Sequence, residues 1–524
     1  MKPLPQPILG LALGLLGGFS SLYAELRLPA IMGDHMVLQQ QLANPIWGWD
    51  TPGTEVTVTF GGQTKTGVAA AGTGKWMVKL DPVAASAEPA VLTIKGTSER
   101  AVRDVLVGEV WICSGQSNMQ WDLRQSDDGD LEAMTAKLPH LRLISVPQVG
   151  TQELKDDFQG AWTVSTPEAA ATFSAVGFIF GRQLHESLGV PVGLIDNAWG
   201  GSAAEAWIRR DVIDKDERFA GLVAEWKARE AAYPQELAAY EAKMEEWKTK
   251  AAEAEAAKQP PPPRPGAPQG AMTGNHRPGN IYGGVLHSTI GYGIKGAIWY
   301  QGESNAQRAH QYRTLFPFMI SHWRDVWQQG DFPFYWVQLA DFMAEKPEPG
   351  ESAWAELREA QTMTQAAIPN GGQAVIIDTG EANDIHPRNK REVGLRLARL
   401  ALARDYGQNA LPARSPEFKS LNVADGKATL TIDHAQGGLR AHDDSAVKGF
   451  AICGEDRKWV WANATITGQN RDQIEVSAPS VAVPVAVRYA WADNPVCNVV
   501  SNAGGLPLTP FRTDDFPMVT GPRP

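Results

Sequence analysis

The chain has 524 residues, 43% of them hydrophobic and 20% charged, with a formal net charge of −11. That length exceeds what one hydrophobic core normally supports, so about two to four domains are expected, and the composition excludes a disordered tail or a fibre. The acidic balance repels phosphate backbones and argues against nucleic-acid binding, while three cysteines with no CxxC pair exclude a disulfide-built scaffold or a cysteine metal site.

Residues 1–24 carry one basic residue, Lys2, then the apolar stretch Ile8 to Phe19, then small and polar residues ending at Ala24. This is the layout of a secretory signal, and export to the periplasm or beyond is expected. Cleavage near Ala24 removes Lys2 and takes the formal charge from −11 to −12. No later run approaches the roughly 20 apolar residues of a membrane span, so no stable membrane insertion is expected after cleavage. Residues 25–104 read as short alternating segments, such as Glu55 to Phe60 and Trp76 to Leu80, set between Pro and Gly turns. They predict an N-terminal β domain. Within it AGTGKW, Ala71 to Trp76, lacks the first glycine of a phosphate loop and reads as a hairpin turn.

From 105 to 407 apolar strand-like runs alternate with amphipathic helical ones, the pattern of a parallel sheet covered on both faces. The predicted strands are Val105 to Cys113, Val192 to Asn197, Lys295 to Tyr300, Phe334 to Leu339 and Ala374 to Asp378. The predicted helices are Phe173 to Leu188, Tyr312 to Trp327, Ala355 to Ala367 and Lys390 to Tyr406, by their three-to-four-residue apolar spacing. An insertion, 214–270, contains the Ala/Glu/Lys-rich segment Asp214 to Lys258 and the proline run Pro260 to Pro263. It reads as a helical hairpin, broken near Pro234, with a stiff linker. Residues 408–524 return to β patterning at Ala428 to Ile432, Gly449 to Ile452 and Val485 to Ala490, predicting a second β domain. Cys113 reads as a buried, inert thiol, whereas Cys453 and Cys497 are free to pair after export.

In an open α/β sheet, ligands bind outside the carboxyl ends of the strands. The first such end is CSGQSNMQW, Cys113 to Trp121, where Gly115 permits a tight turn and Ser117 emerges from a buried strand. This is not the GxSxG elbow of the α/β-hydrolases, and a serine there also serves as a helix cap. The second is DNAWGGSAAEAW, Asp196 to Trp207, whose Gly200 and Gly201 let the backbone approach a ligand and present N–H donors. The third, WYQGESN, Trp299 to Asn305, groups Gln301, Glu303 and Asn305 directly after a buried strand, and Gln301 suits an oxyanion. The last runs from DTG, Asp378 to Gly380, into EANDIHPRNK, Glu381 to Lys390. There Pro387 biases His386 toward an extended backbone, which holds the imidazole at a defined place, as a general base requires. Asp384 is the nearest acid for orienting it. Trp121, Trp199 and Trp207 flank these motifs, where each serves either a sugar ring or the core.

GQSNM, WGGS, WYQGESN and DIHP, in this order, resemble the sialate O-acetylesterase group of the SGNH hydrolases, over about residues 25–515. The resemblance implies an α/β, flavodoxin-like catalytic domain with a parallel sheet, flanked by β-sandwich-like domains. It implies an esterase acting on O-acetylated carbohydrate through an acetyl-serine, with no metal and no cofactor. Ser117 would be the nucleophile and His386 the base, with the Ser117 N–H, a glycine N–H and Gln301 as oxyanion donors. One departure concerns the acid: the wider superfamily often places Asp three residues before the His, where this chain has Asn383, while Asp384 lies two before. A backbone carbonyl, Glu303 or Asp378 stand as alternatives to Asp384. The motifs do not separate a sialate esterase from an acetyl-xylan or other polysaccharide esterase. A carbohydrate-binding protein without activity is the rival of another class.

Overall fold

The computed structural model describes residues 25–268, 272–443 and 445–522, and the predicted signal segment lies outside them. Its centre is a sheet built from β1 (Glu99–Gly115), β2 (Leu138–Ser145), β3 (Thr163–Ser165), β4 (Val192–Asp196), β5 (Gly296–Tyr300), β6 (Phe334–Val337) and β7 (Gly371–Ala374). The order across the sheet is β7-β6-β5-β1-β4-β2-β3, with every pair parallel except the edge pair β2–β3. The chain thus winds from β1 outward to β2, returns through β4 to lie beside β1, then crosses to the other side for β5, β6 and β7. The reversal beside β1 is a topological switch point, where the carboxyl ends of β1, β4 and β5 are expected to border a ligand crevice.

Helices cover both faces because the strands are apolar on both. They are α1 (Ser117–Gln120), α2 (Ala175–Leu188), α3 (Ala220–Ala256), α4 (Ala309–Trp327), α5 (Ala353–Ala367) and α6 (Lys390–Asp405), among shorter turns. Gly177 on α2 lies so close to β1 that a Cβ there would stand 2.7 Å from Cys113 Sγ. Cys113 is accordingly buried, and burial raises its thiol pKa well above the usual value.

Three expectations change. The strand predicted to begin at Val105 begins at Glu99, and its first half pairs with Ser86–Lys95 and Val37–Gln39 of the N-terminal β region. The expected boundary near 104 therefore falls inside one continuous strand. The run Ala374 to Asp378 is apolar for a different reason: β7 ends at Ala374, and Val375 and Ile377 pack into the C-terminal core with Leu430, Ile452 and Val487. The insertion is not a broken helical hairpin. A single helix of 37 residues passes through Pro234, and the proline run returns along it, with Trp247 Nε1 donating to the Pro262 carbonyl at 2.8 Å. Proline removes one helical hydrogen bond, but the Ala-, Glu- and Lys-rich flanks are strong helix formers. Glu230 also ties the helix to Arg210 and Arg277 at 2.6 and 2.7 Å.

Beyond α6 two four-stranded antiparallel sheets form the C-terminal region, one around Lys427–Asp433 and one around Phe450–Cys453. Cys453 pairs with Ala486 at one end of its strand, whereas Cys497 sits against Gly449 just before the other end, and both thiols are free. Among the described residues no helix is long and apolar enough to cross a membrane.

Candidate active site

β1 delivers Ser117 to the crevice through a turn that only glycine tolerates. Gly115 has φ +136°, and a Cβ there would come within 2.1 Å of the Tyr300 carbonyl oxygen on neighbouring β5. The Gln116 N–H donates to that carbonyl at 2.8 Å, and Ser117 opens α1. The first N–H groups of a helix have no intrahelical acceptor, so the Ser117 amide is available to an anion.

His386 comes from the loop before α6. Its Nε2 stands 2.9 Å from Ser117 Oγ, and its Nδ1 stands 3.3 Å from Asp384 Oδ1. The same carboxylate oxygen accepts the His386 backbone N–H at 2.9 Å. Ser117, His386 and Asp384 are thus assembled in one line. The other two acids are engaged elsewhere: Asp378 pairs with Arg396 at 2.7 and 2.8 Å, and Glu303 accepts from Asn118 Nδ2 at 2.6 Å. Burial holds the His386 pKa below its ordinary value, aided by the Lys390 charge and opposed by Asp384. Trp121 lies flat on the imidazole, with ring centroids 4.9 Å apart. Trp207, by contrast, is fully buried and packs edge-on against Trp299 at 5.4 Å, which makes it core. Trp199 is half-buried on the rim.

The glycine pair after β4 stands over the serine. A Cβ at Gly200 would lie 3.5 Å from Ser117 Cβ, so the Gly200 backbone borders that side chain. Its N–H donates to Gln120 Oε1 at 2.7 Å, and Gly201 occupies the left-handed region at φ +69°. The segment after the insertion braces this turn: Asn275 Nδ2 donates to the Gly200 carbonyl at 2.6 Å, and His276 Nε2 bonds the Gly201 carbonyl at 2.6 Å.

Gln301 and Asn305 are placed differently from the expectation. Both are buried. Gln301 Nε2 donates to the Ser202 carbonyl at 3.1 Å and to Asn305 Oδ1 at 2.7 Å, while its Oε1 accepts from Tyr312 at 2.9 Å. Asn305 Oδ1 also accepts the Ala204 N–H, and its Nδ2 donates to Glu205 at 2.9 Å. Their amides are consumed in joining the ends of β4 and β5, so in this geometry neither presents a donor to an oxyanion beside Ser117. Glu303 likewise accepts from Asn118 and has no hydrogen bond to Ser117. The sequence reading also missed Asn118, Gln120, Asn275, His276 and Lys390. Asn118 and Gln120 lie within GQSNMQ and Lys390 ends EANDIHPRNK, so adjacency to a motif was the available signal. Among the described residues no group of His, Cys, Asp and Glu is arranged to hold a metal.

Residues 279–403 match the family described as carbohydrate esterase, sialic acid-specific acetylesterase, and residues 419–515 match the sialate O-acetylesterase C-terminal domain. A carbohydrate acetylesterase from Xanthomonas citri superposes with a TM-score of 0.78 at 36% identity, over 94% of this chain and all of that one. The sialate O-acetylesterase of Homo sapiens is 29% identical over 97% of this chain and 96% of its own length. That of Mus musculus is 30% identical over 97% of this chain and 98% of its own. Likeness of this extent, along both chains almost end to end, means that the chain belongs to the sialate O-acetylesterase family.

Proposed function

We propose that the chain is a serine esterase that hydrolyses O-acetyl esters on sialic acids, with Ser117 as nucleophile, His386 as general base and Asp384 as the acid that orients it. The observation that carries this is the 2.9 Å contact between Ser117 Oγ and His386 Nε2. A serine hydroxyl is a weak nucleophile near neutral pH until a base within hydrogen-bond reach takes its proton. Ser117 Oγ attacks the acetyl carbonyl as His386 Nε2 accepts the proton, and the carbonyl oxygen becomes a tetrahedral oxyanion. The donors assigned to that oxyanion are the Ser117 N–H and the N–H of Gly200, which borders Ser117, with Gly201 next to it in the same turn. The Gly200 N–H exchanges Gln120 for the developing charge, an exchange favoured because a charged acceptor binds about twice as strongly as a neutral one. Collapse returns the proton from His386 to the sugar oxygen, which leaves. A water deprotonated by the same imidazole then attacks acetyl-Ser117, and acetate departs as the serine hydroxyl is restored.

The signal-like segment 1–24 supports action outside the cytoplasm. A broader reading, an acetylated carbohydrate other than sialic acid as substrate, is favoured by one observation: the Xanthomonas citri protein, described as a carbohydrate acetylesterase without mention of sialic acid, is more similar in sequence, at 36%, than the mouse sialate enzyme, at 30%. The deciding experiment measures acetate released from 9-O-acetyl sialic acid, acetylated xylan and acetylated algal glycans, for the wild type and Ser117→Ala. Serine-dependent release from the sialic acid supports the proposal. Release confined to the polysaccharides replaces its substrate, and release that survives in Ser117→Ala overturns its mechanism.

A further inference from the structure

Behind the Ser117–His386 contact lies a second one that runs beside it. Asn118, next to the nucleophile, donates from Nδ2 to the carbonyl of Ile385, next to the base, at 3.0 Å. The Asn118 amide is itself gripped at both ends. Its Nδ2 also donates to Glu303 Oε1, and its Oδ1 accepts a hydrogen bond from the Lys390 ammonium. Asn118 and Lys390 are almost completely buried, and Glu303 Oε2 is buried with no partner among the described residues. Lys390 also meets the faces of Tyr300 at 5.4 Å and Trp121 at 5.6 Å, and Trp121 stacks on His386.

A lysine is ill suited to this place on stability grounds. It heads α6, where the helix dipole repels a cation, and full burial opposes its charge. Hydrogen bonding by an uncharged side chain would serve a purely structural link. Burial lowers the Lys390 pKa to about 7 and raises that of Glu303, and what the two groups add is a fixed orientation for the Asn118 amide: with the Lys390 donor at Oδ1 and the Glu303 acceptor at Nδ2, the flipped amide would set donor against donor and acceptor against acceptor. The amide donor is thereby locked onto the peptide that carries His386.

Resting on the esterase reading above, we propose that Asn118, locked between Lys390 and Glu303, is a positioning residue for the catalytic base, holding His386 at its distance from Ser117. The ammonium also acts directly on the imidazole. Charged groups near His386 are Lys390 on α6, Asp384 and the Glu381–Arg388 pair on its own loop, and Glu303 after β5. Of these, Lys390 and Asp384 bear on its protonation, the first opposing the imidazolium and the second favouring it. Lys390→Met removes the opposing cation and leaves Glu303 either ionised, which favours imidazolium, or protonated, which is neutral. Both push the imidazole pKa upward.

The test uses the full chain and p-nitrophenyl acetate. Asn118→Leu is expected to lower kcat about 10- to 100-fold with KM within about twofold, since misplacement of the base is felt in the transition state. Lys390→Met is expected to move the acid limb of the kcat/KM profile upward by about half to one pH unit. Should Lys390→Met not fold, the double variant Lys390→Met/Glu303→Gln removes both buried ionisable groups together, and the same upward displacement is expected. A folded Lys390 variant with the wild-type acid limb, or Asn118→Leu with wild-type kcat, overturns the proposal, because a merely structural link alters melting and leaves both readouts in place. Ser117→Ala run in parallel separates the two ideas. Activity surviving there removes the esterase mechanism itself, whereas activity lost there with unmoved clamp variants removes only this inference.

Discussion

The Trp121 indole and the His386 imidazole lie face to face, with centroids 4.9 Å apart and planes inclined by 19°. Stacking of this kind fixes the plane of the imidazole while leaving both ring nitrogens free, one toward Ser117 Oγ and one toward Asp384. Aromatic pairs contribute about 0.5–1.5 kcal/mol beyond the area they bury, which sets the scale of what the indole does for the base. Trp121→Ala is therefore expected to lower kcat up to about tenfold with little change in KM, and Trp121→Phe to recover most of it. Steady-state kinetics on both p-nitrophenyl acetate and an acetylated sugar check this. A rise in KM confined to the sugar would instead assign the indole to substrate contact.

The pH dependence follows from the surroundings of His386. Burial and the Lys390 charge lower its pKa below the ordinary 6.5, and Asp384 only partly counters them. Since only the neutral imidazole accepts the serine proton, kcat/KM falls as pH drops through that lowered value. The profile between about pH 4 and 8 is expected to reach half its plateau below 6.5. A midpoint at or above neutrality contradicts this environment for the base.

Asp384 supports His386 from an exposed position: its side chain is 47% accessible and stands 3.3 Å from Nδ1. In a serine triad with a fully buried acid, Asp→Asn lowers kcat by about 10⁴. A solvated carboxylate at longer range is worth less, so Asp384→Asn is expected to lower kcat by roughly tenfold. Because Asp384 favours the imidazolium, its neutralisation also moves the acid limb to lower pH, opposite to Lys390→Met. The pH profile of the purified variant decides, and an upward displacement would exclude Asp384 as the partner of Nδ1.

Gln301 offers the sharpest contrast between an oxyanion role and a structural one. Its amide joins Ser202, Asn305 and Tyr312 inside the protein. Gln301→Leu leaves those groups unpaired in a buried place, which destabilises by about 2–4 kcal/mol. The expected result is a clear fall in melting temperature, with kcat of the folded enzyme within about threefold of wild type. The opposite pattern, unchanged melting with a loss of about 10²–10³-fold in kcat, identifies Gln301 as an oxyanion donor after all.

Much of this architecture could be read along the chain. Apolar runs covered on both faces mark parallel strands without further information, and Val192–Asp196 and Gly296–Tyr300 lie within a residue of their expected limits. Periodicity located the helices almost as closely: α2 and α5 begin two residues from expectation, and α6 ends one residue early. The errors fell where apolar character has more than one cause. Val375 and Ile377 are apolar because a second core covers them, and a local pattern does not distinguish that core from a sheet face. Pro234 signals a break in any isolated helix, but long helix-forming flanks and the Arg210–Glu230–Arg277 anchor carry α3 through it.

The sequence by itself pointed to the strand ends, and to Ser117 and His386 as candidates on the loops that follow them, because a parallel sheet brings its carboxyl ends to one rim whatever the loops between them. Only the tertiary structure decided what each polar side chain on that rim does. Gln301 and Glu303 sit in one motif, yet the first joins two loops and the second grips Asn118. Asn118 and Ile385 are 267 residues apart in the chain and 3.0 Å apart in the fold. A short motif shows which hydrogen-bonding groups are at hand. Which donor meets which acceptor depends on approach and direction, and those are set by the packing of segments hundreds of residues distant.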